Sequence, residues 1–289
     1  MGQEYPAIIR SQSQIAYNYA TIRITKSRLD KGLLAIPVSL IQWFPKQNCQ
    51  INVFLDDSVH SQLKTYTSYT SRSRECRIGG LPEWFRENQI KEGDEIVLQV
   101  VDKNNYVYRL IPEVKFITKT KQIQAEFDNS TDELNAEQNL FRIADWTRTD
   151  EKTAKLTEFF RLIKQPIIKE RQLISKKGSF GKESTPSNIR ILLGKIYLGH
   201  CQVCDFWFLR KDKKPYYEIH HLNPKIGNHI KNLILVCGNC HNQFEYADTK
   251  EEFKDGWLAK VYFNNRIFVI NQIISKHKIE EGAKTIFVN

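Results

Sequence analysis

Two cysteine pairs share one spacing, Cys201-x-x-Cys204 and Cys237-x-x-Cys240, and His220, His221 and His241 lie between and just beyond them. Thiolates and imidazoles are ligands that zinc prefers, and two such pairs supply the four sulfurs of a tetrahedral structural zinc site. A redox Cys-x-x-Cys would account for one pair only and needs a thioredoxin-like setting that neither pair has. In a reducing compartment a metal site is expected before a disulfide framework. Cys49 and Cys76, far from both pairs, read as small buried hydrophobes.

His220 and His221 end the run YYEIHHL, which reads as a strand. Adjacent strand residues face opposite sides, so one imidazole can meet a metal while the other meets water; alternation alone permits either order. His241 follows the last cysteine directly, and Glu245 lies four residues on, along the same helical face. This set offers two or three ligands for a divalent cation and one histidine over. A neutral imidazole can take a proton from water, and a bound cation can act as a Lewis acid. Singly, a histidine is more often a core or surface residue, and His60, His200, His229 and His277 are read so.

The elements needed to position these groups are legible around them. Thirty-two residues separate Cys204 from Cys237, more than a plain zinc ribbon requires. YYEIHHL and NLILVC read as two strands joined by a loop from Asn223 to Lys231, and GNCHNQFEYADT reads as a short helix. Zinc would clamp the hairpin's approach to the start of that helix, in a unit too small to be stable by its core alone.

Cys-x-x-Cys, Glu-x-His-His, Asn-Leu and Cys-x-x-Cys-His, over residues 190–250, closely resemble the HNH nuclease family in its zinc-stapled, McrA-like branch with the ββα-metal fold. The resemblance implies His221 as general base, His220 and His241 as ligands of a catalytic Mg²⁺ or Mn²⁺, and Asn232 as the residue holding loop and base in place. Many relatives carry a second helical His where this chain has Glu245, a carboxylate that suits a hard cation. Glu218 is expected to support the site from behind its ligands.

In the first third, LLAIPVSLIQWF and RIGGLPEWF align at an offset of 45 residues, with Ile36-Pro37 on Leu81-Pro82, and Ile51, Val53 and Leu55 on Ile96, Leu98 and Val100. In each copy a Pro opens a short helix, and an alternating strand follows a turn where Asn48 lies opposite Gly93. Neither copy can close a core alone, so the two are expected to be halves of one mostly β unit. Further strands are expected at 20–25, 62–69 and 106–111.

This order resembles the DNA-binding pseudobarrel of the B-three superfamily, shared by plant transcription factors and restriction-enzyme effector domains such as that of EcoRII. The resemblance covers residues 15–115 and implies two DNA-gripping arms, one with Arg23, Lys26 and Arg28 and one with Tyr69, Arg72, Arg74 and Arg77. Arg can read guanine, and Tyr can bond phosphate. The plainer reading is a charged edge strand that resists aggregation.

From Thr131 to Gln165 the pattern is helical, with Pro166 as a stop, and SKKGSFGKESTPSN (175–188) reads as a linker. Seven Lys/Arg against one Glu at 161–182 could follow a DNA backbone, although such runs are usually solvated. WLAKVYFNNRIFVINQII, within 250–289, is apolar enough to pack on the preceding unit or to form a subunit contact.

The fold class expected is therefore α+β. Residues 1–120 form a pseudobarrel, 121–188 a helical connector with a basic linker, and 189–289 a zinc-stabilised ββα-metal unit with an extension. The charge balance of +10 favours a polyanionic partner, and no stretch resembles a membrane span or signal peptide. The expectation is a cytoplasmic, prokaryotic-type restriction endonuclease acting on double-stranded DNA, as a homodimer because each chain carries one site. The alternatives are a nuclease confined to modified DNA and a non-catalytic zinc-stapled DNA-binding regulator.

Overall fold

The computed structural model describes residues 14–68, 75–167, 173–176, 179–182 and 184–272, with backbone alone at 173–176 and 179–182. The chain divides into two compact units, Met1–Glu126 with Phe141–Glu151, and Phe127–Leu140 with Lys152–Asn289. Among the described residues no helix is long and apolar enough to cross a membrane.

The first unit is mostly β, as the internal repeat requires. Strand β1 (Ala20–Arg23) leads into a short helix α1 (Lys26–Lys31), closed by Gly32 at φ 59. Then come β2 (Leu34–Ile36), a 3₁₀ turn (Val38–Trp43), β3 (Cys49–Leu55) and β4 (Ser61–Thr67). The second copy repeats the order with β5 (Cys76–Ile78), α2 (Pro82–Glu87), β6 (Glu95–Asp102) and β7 (Val107–Pro112). The expected strand at 20–25 thus ends at Arg23, where α1 takes over.

The two prolines behave differently. Pro82 opens an α-helix, whereas Pro37 opens only a 3₁₀ turn. Pro45 explains the difference: it forces Phe44 into extended backbone (φ −113, ψ 161) and stops the turn before a second one can form.

The seven strands run β1-β6-β7-β3-β4-β5-β2, with β3 and β7 parallel and all other neighbours antiparallel. The edge strands β1 and β2 approach each other, so the sheet nearly closes into a pseudobarrel. Ile51, Val53 and Leu55 from one copy and Ile96, Leu98 and Val100 from the other all enter its core. Phe44 stacks there between Tyr108 (4.3 Å) and Tyr66 (5.4 Å). Cys76 is buried and Cys49 half-buried against the same core. Gly32 admits the second copy, because a Cβ would lie 2.7 Å from Pro82 Cδ.

Helices α4 (Glu133–Thr147) and α5 (Glu151–Ile163) fill the helical stretch expected at 131–165, α3 (Glu113–Asp128) precedes it, and the unit boundaries fall inside α3, α4 and α5. Gln99 on β6 donates to the Trp146 carbonyl (2.8 Å), and Trp146 stacks on Phe116 of α3 (5.6 Å).

In the second unit Arg161 of α5 forms a two-pronged pair with Asp128 (2.9 and 2.6 Å) and also meets the fully buried Glu158 (2.6 Å). A buried carboxylate demands such a partner. The segment expected as a linker carries structure instead: β8 (Leu173–Lys176) pairs with β9 (Ser179–Lys182), and α6 (Ser187–Ile196) follows.

The expected hairpin and helix are β10 (Glu218–His221), β11 (Leu233–Val236) and α7 (Gly238–Tyr246). A three-stranded antiparallel sheet then forms from β12 (Thr249–Lys254), β13 (Trp257–Phe263) and β14 (Arg266–Val269). Leu258, Val261, Phe263 and Ile270 share one core with Cys201, Ile234, Val236, Cys237 and Cys240, so this extension packs on the cysteine-bearing unit.

Candidate metal centres and the hairpin between them

The four cysteines converge as their spacing requires. One ligand atom from each of Cys201, Cys204, Cys237 and Cys240 lies within 4.8 Å of the others. The Sγ atoms of Cys204 and Cys237 are 3.7 Å apart, and those of Cys240 and Cys204 are 3.4 Å apart. Disulfide sulfurs stand near 2.05 Å, whereas four sulfurs at about 2.3 Å from a tetrahedral zinc stand about 3.8 Å apart. The donor set therefore fits zinc.

The knuckles are built locally. The Cys201 carbonyl accepts from Asp205 N–H (2.9 Å), with Asp205 at φ 62, and Cys237 caps α7 by accepting from Cys240 N–H (3.5 Å). Buried Gln202 exchanges backbone and side-chain bonds with Leu235 of β11 (2.9 and 2.8 Å) and donates to the Asn271 carbonyl (2.7 Å). Crowding sets the thiols against one another. The hydrogen bond from Cys240 holds Cys201 down at about 5, while that same bond pushes Cys240 up and burial pushes Cys204 up to about 11. A cation among them removes that conflict, since all four can then be thiolates.

In the hairpin His220 lies opposite Ile234 and His221 opposite Leu233, which puts the two imidazoles on opposite faces. Both are buried. His220 stacks on Phe244 of α7 (4.4 Å), and Phe244 meets Phe263 of β13 edge-on (4.9 Å). Burial, aided by His241 and His221, holds the His220 imidazole down at about 4, in the neutral form that binds metals.

His220, His241 and Glu245 each offer a ligand atom within 4.8 Å of the others. The distance from His220 Nδ1 to Glu245 Oε1 is 3.8 Å. Two atoms bound at 2.0–2.4 Å to one cation lie at most about 4.0–4.8 Å apart, so this set also fits a cation. His241 Nδ1 donates to Glu218 Oε2, which leaves Nε2 as the nitrogen that could bind a cation. Tyr216 O–H donates to the other Glu218 oxygen, and these two bonds hold the carboxyl below its ordinary range, the one from Tyr216 more strongly.

On the other face His221 Nε2 lies 2.9 Å from Asn228 Oδ1, and Asn228 Nδ2 donates to the Ser184 carbonyl (3.2 Å). Asn228 thus presents an acceptor, which places the proton on Nε2 and the lone pair on Nδ1. Asn232 ties the loop: its Oδ1 accepts from Asn223 N–H (2.8 Å), and its Nδ2 reaches the carbonyls of Asn223, Ile226 and Gly227 (3.0–3.3 Å). Sequence reasoning missed Tyr216, Asn228 and Phe244. Only Phe244 left a trace, three residues after His241 on one helical face. His229 has the structural role expected, accepting from Lys231 N–H (3.2 Å) with Nε2 3.2 Å from the Gln165 carbonyl. His277 lies outside the described residues.

In the first unit Arg23 ends β1 and Lys26 starts α1, both exposed. Arg28 is taken by Glu75 in an ion pair, and Arg77 is half-buried on β5 opposite Ala35. Tyr69, Arg72 and Arg74 lie outside the described residues.

No family model matches this chain, and no curated protein matches it. Solved structures that match part of it include the Arabidopsis FUS3–DNA complex, at 15% identity and TM-score 0.28 over 32% of this chain and 94% of that one. The complex of the Arabidopsis thaliana transcription factor LEC2 with DNA matches at 15% and 0.27, over 33% and 95%. The N-terminal domain of Helicobacter pylori LlaJI.R1 matches at 13% and 0.25, over 32% and 76%.

Proposed function

We propose that this chain is a metal-dependent, sequence-specific DNA endonuclease of the restriction type, whose pseudobarrel selects the site and whose second unit cuts. The observation that carries the reading is the division at the end of β10. His220 joins His241 and Glu245 as a ligand set on one side, while His221, with its own hydrogen-bond partner, stands on the other. Among the residue types present, that pairing of a hard-cation site with a separate imidazole base suits phosphodiester hydrolysis. A net charge of +10 suits a DNA substrate.

In this reading His221 Nδ1 takes a proton from the water that attacks phosphorus in line, and the P–O3′ bond breaks opposite it. Asn228 keeps the tautomer that leaves Nδ1 basic, and Asn232 keeps the loop that carries Asn228 in place. His220, His241 and Glu245 would hold a divalent cation such as Mg²⁺ or Mn²⁺, and Glu218 would orient His241. When bound, that cation supplies Lewis acidity toward the phosphodiester. Cutting both strands calls for two copies of the site, hence a homodimer.

The test incubates wild type and His221→Ala with unmodified and methylated DNAs and Mg²⁺ or Mn²⁺. Cleavage by wild type and its loss in the variant, with DNA binding retained, is expected. If wild type binds duplex but cuts no DNA under any condition, the chain is a zinc-stapled regulator. Cutting of methylated DNA alone would make it modification-dependent.

A further inference from the structure

Between Cys204 and β10 the chain leaves the zinc knuckle and returns as a finger that the proposed cleavage chemistry does not use. Phe208 and Tyr216 are joined by a backbone bond (3.0 Å), Leu209 bridges Pro215, and Arg210 N–H donates to the Lys214 carbonyl (2.8 Å). Every residue from Asp205 to Lys214 is exposed. Two features set the finger apart from an ordinary solvated turn.

The first is its tip, RKDKK, with four cations and one acid. Asp212 is committed to the turn, accepting from Lys214 N–H (3.1 Å) and pairing with Arg210 (2.9 Å). The ammonium groups of Lys211, Lys213 and Lys214 meet no acidic partner among the described residues. The second is its flank, where Phe206, Trp207, Phe208 and Leu209 are 41–54% exposed in one uninterrupted run. The rings are nonetheless posed: Trp207 stacks on His200 (5.6 Å) and Phe208 on Tyr216 (5.0 Å). A contiguous apolar patch of this kind marks a binding surface.

We propose that this finger is a DNA-contacting element of the cleavage unit, gripping the duplex backbone beside the cut. The inference rests on the nuclease reading above and adds to it a second, sequence-independent contact. Charge complementarity selects the partner, because three unpaired lysines on a shaped tip suit a polyanion. Location supports the same occupant. The finger's returning limb runs through Pro215 and Tyr216 straight into β10, six residues from Lys214 to His220. Extended chain spans about 3.3 Å per residue, so Lys214 reaches no further than roughly 20 Å from the site and Lys211 no further than roughly 30 Å, within one helical turn of duplex at about 34 Å. The lysines hold phosphates, and the exposed rings cover deoxyribose faces.

Full-chain protein is titrated with a labelled duplex of arbitrary sequence across a salt series, without added divalent cation. Replacing Lys211, Lys213 and Lys214 together by Ala should make the log–log salt dependence shallower by about two to three, at about 0.9 per phosphate contact, with affinity falling roughly eightfold per contact at about 0.1 M salt. The triple Lys→Arg variant should keep the wild-type slope. Trp207→Ser with Phe208→Ser should weaken binding and leave the slope unchanged. An unaltered slope in the alanine variant, with wild type binding normally, overturns the finger and leaves the nuclease reading standing. Failure of wild type to bind duplex at all overturns both. Unchanged DNA affinity in the ring variant, with an altered sedimentation coefficient, overturns the finger in favour of a protein interface.

Discussion

His241 shows how one hydrogen bond decides a side chain's chemistry. Its Nδ1–H goes to Glu218, whose other oxygen is held by Tyr216, so the lone pair on Nε2 is the one left to bind a cation in the candidate set with His220 and Glu245. Glu218→Gln should therefore lower Mn²⁺ affinity about 10–100-fold, measured by calorimetry on zinc-loaded protein. Unchanged affinity would mean that Glu218 does not orient the ligand. Asn232 acts on the loop and not on substrate. At roughly 1 kcal/mol net per bond, loss of its four side-chain bonds in Asn232→Ala should cost about 2–4 kcal/mol in urea unfolding. A loss below about 0.5 kcal/mol would show that the loop holds itself.

At the scale of elements, the ββα arrangement depends on the sheet that follows it. Phe263 of β13 is buried against Phe244, which in turn carries His220 on its face. Phe263→Ala should cost about 3–5 kcal/mol, and the loosened stack should weaken Mn²⁺ binding although Phe263 touches no ligand. Normal Mn²⁺ affinity in a measurably destabilised variant would break that link. Helix α6 imposes a second constraint, since a Cβ on Gly194 would lie 2.3 Å from Tyr217 Oη. Gly194→Ala should lower the melting temperature of the hairpin unit, and an unchanged melt would count against close packing of α6 on the hairpin's approach.

At the scale of the molecule, all four cysteines belong to one compact unit, while the pseudobarrel has a core of its own. Metal analysis of the purified chain should find about one zinc per protomer. A strong chelator should shift the melting of the cysteine-bearing unit and spare that of the pseudobarrel. A single transition that moves as a whole would show that the barrel's stability depends on the zinc.

Much of this was legible in the residues. The Cys-x-x-Cys pairs specified a four-sulfur site, because two such pairs supply the four thiolates of a tetrahedral metal site. Adjacent His220 and His221 specified two faces, because strand period is two. The repeat around Pro37 and Pro82 specified two copies sharing one core, because neither half has enough apolar surface alone. Less was legible at 175–188, where Ser, Gly and Lys composition suggested a linker although backbone pairing forms β8 and β9. Composition reports what a segment can bury, whereas a hairpin of four-residue strands is decided by turn geometry and pairing. The sequence by itself determined which side chains could bind metal and that four thiolates could share one site. Only the tertiary structure decided that Asn228 sets the His221 tautomer, that Phe244 and Phe263 back His220, and that the C-terminal sheet joins the cysteine core. Those contacts join residues from seven positions apart (His221 and Asn228) to sixty-nine (Gln202 and Asn271), chosen by packing, and no local periodicity encodes them.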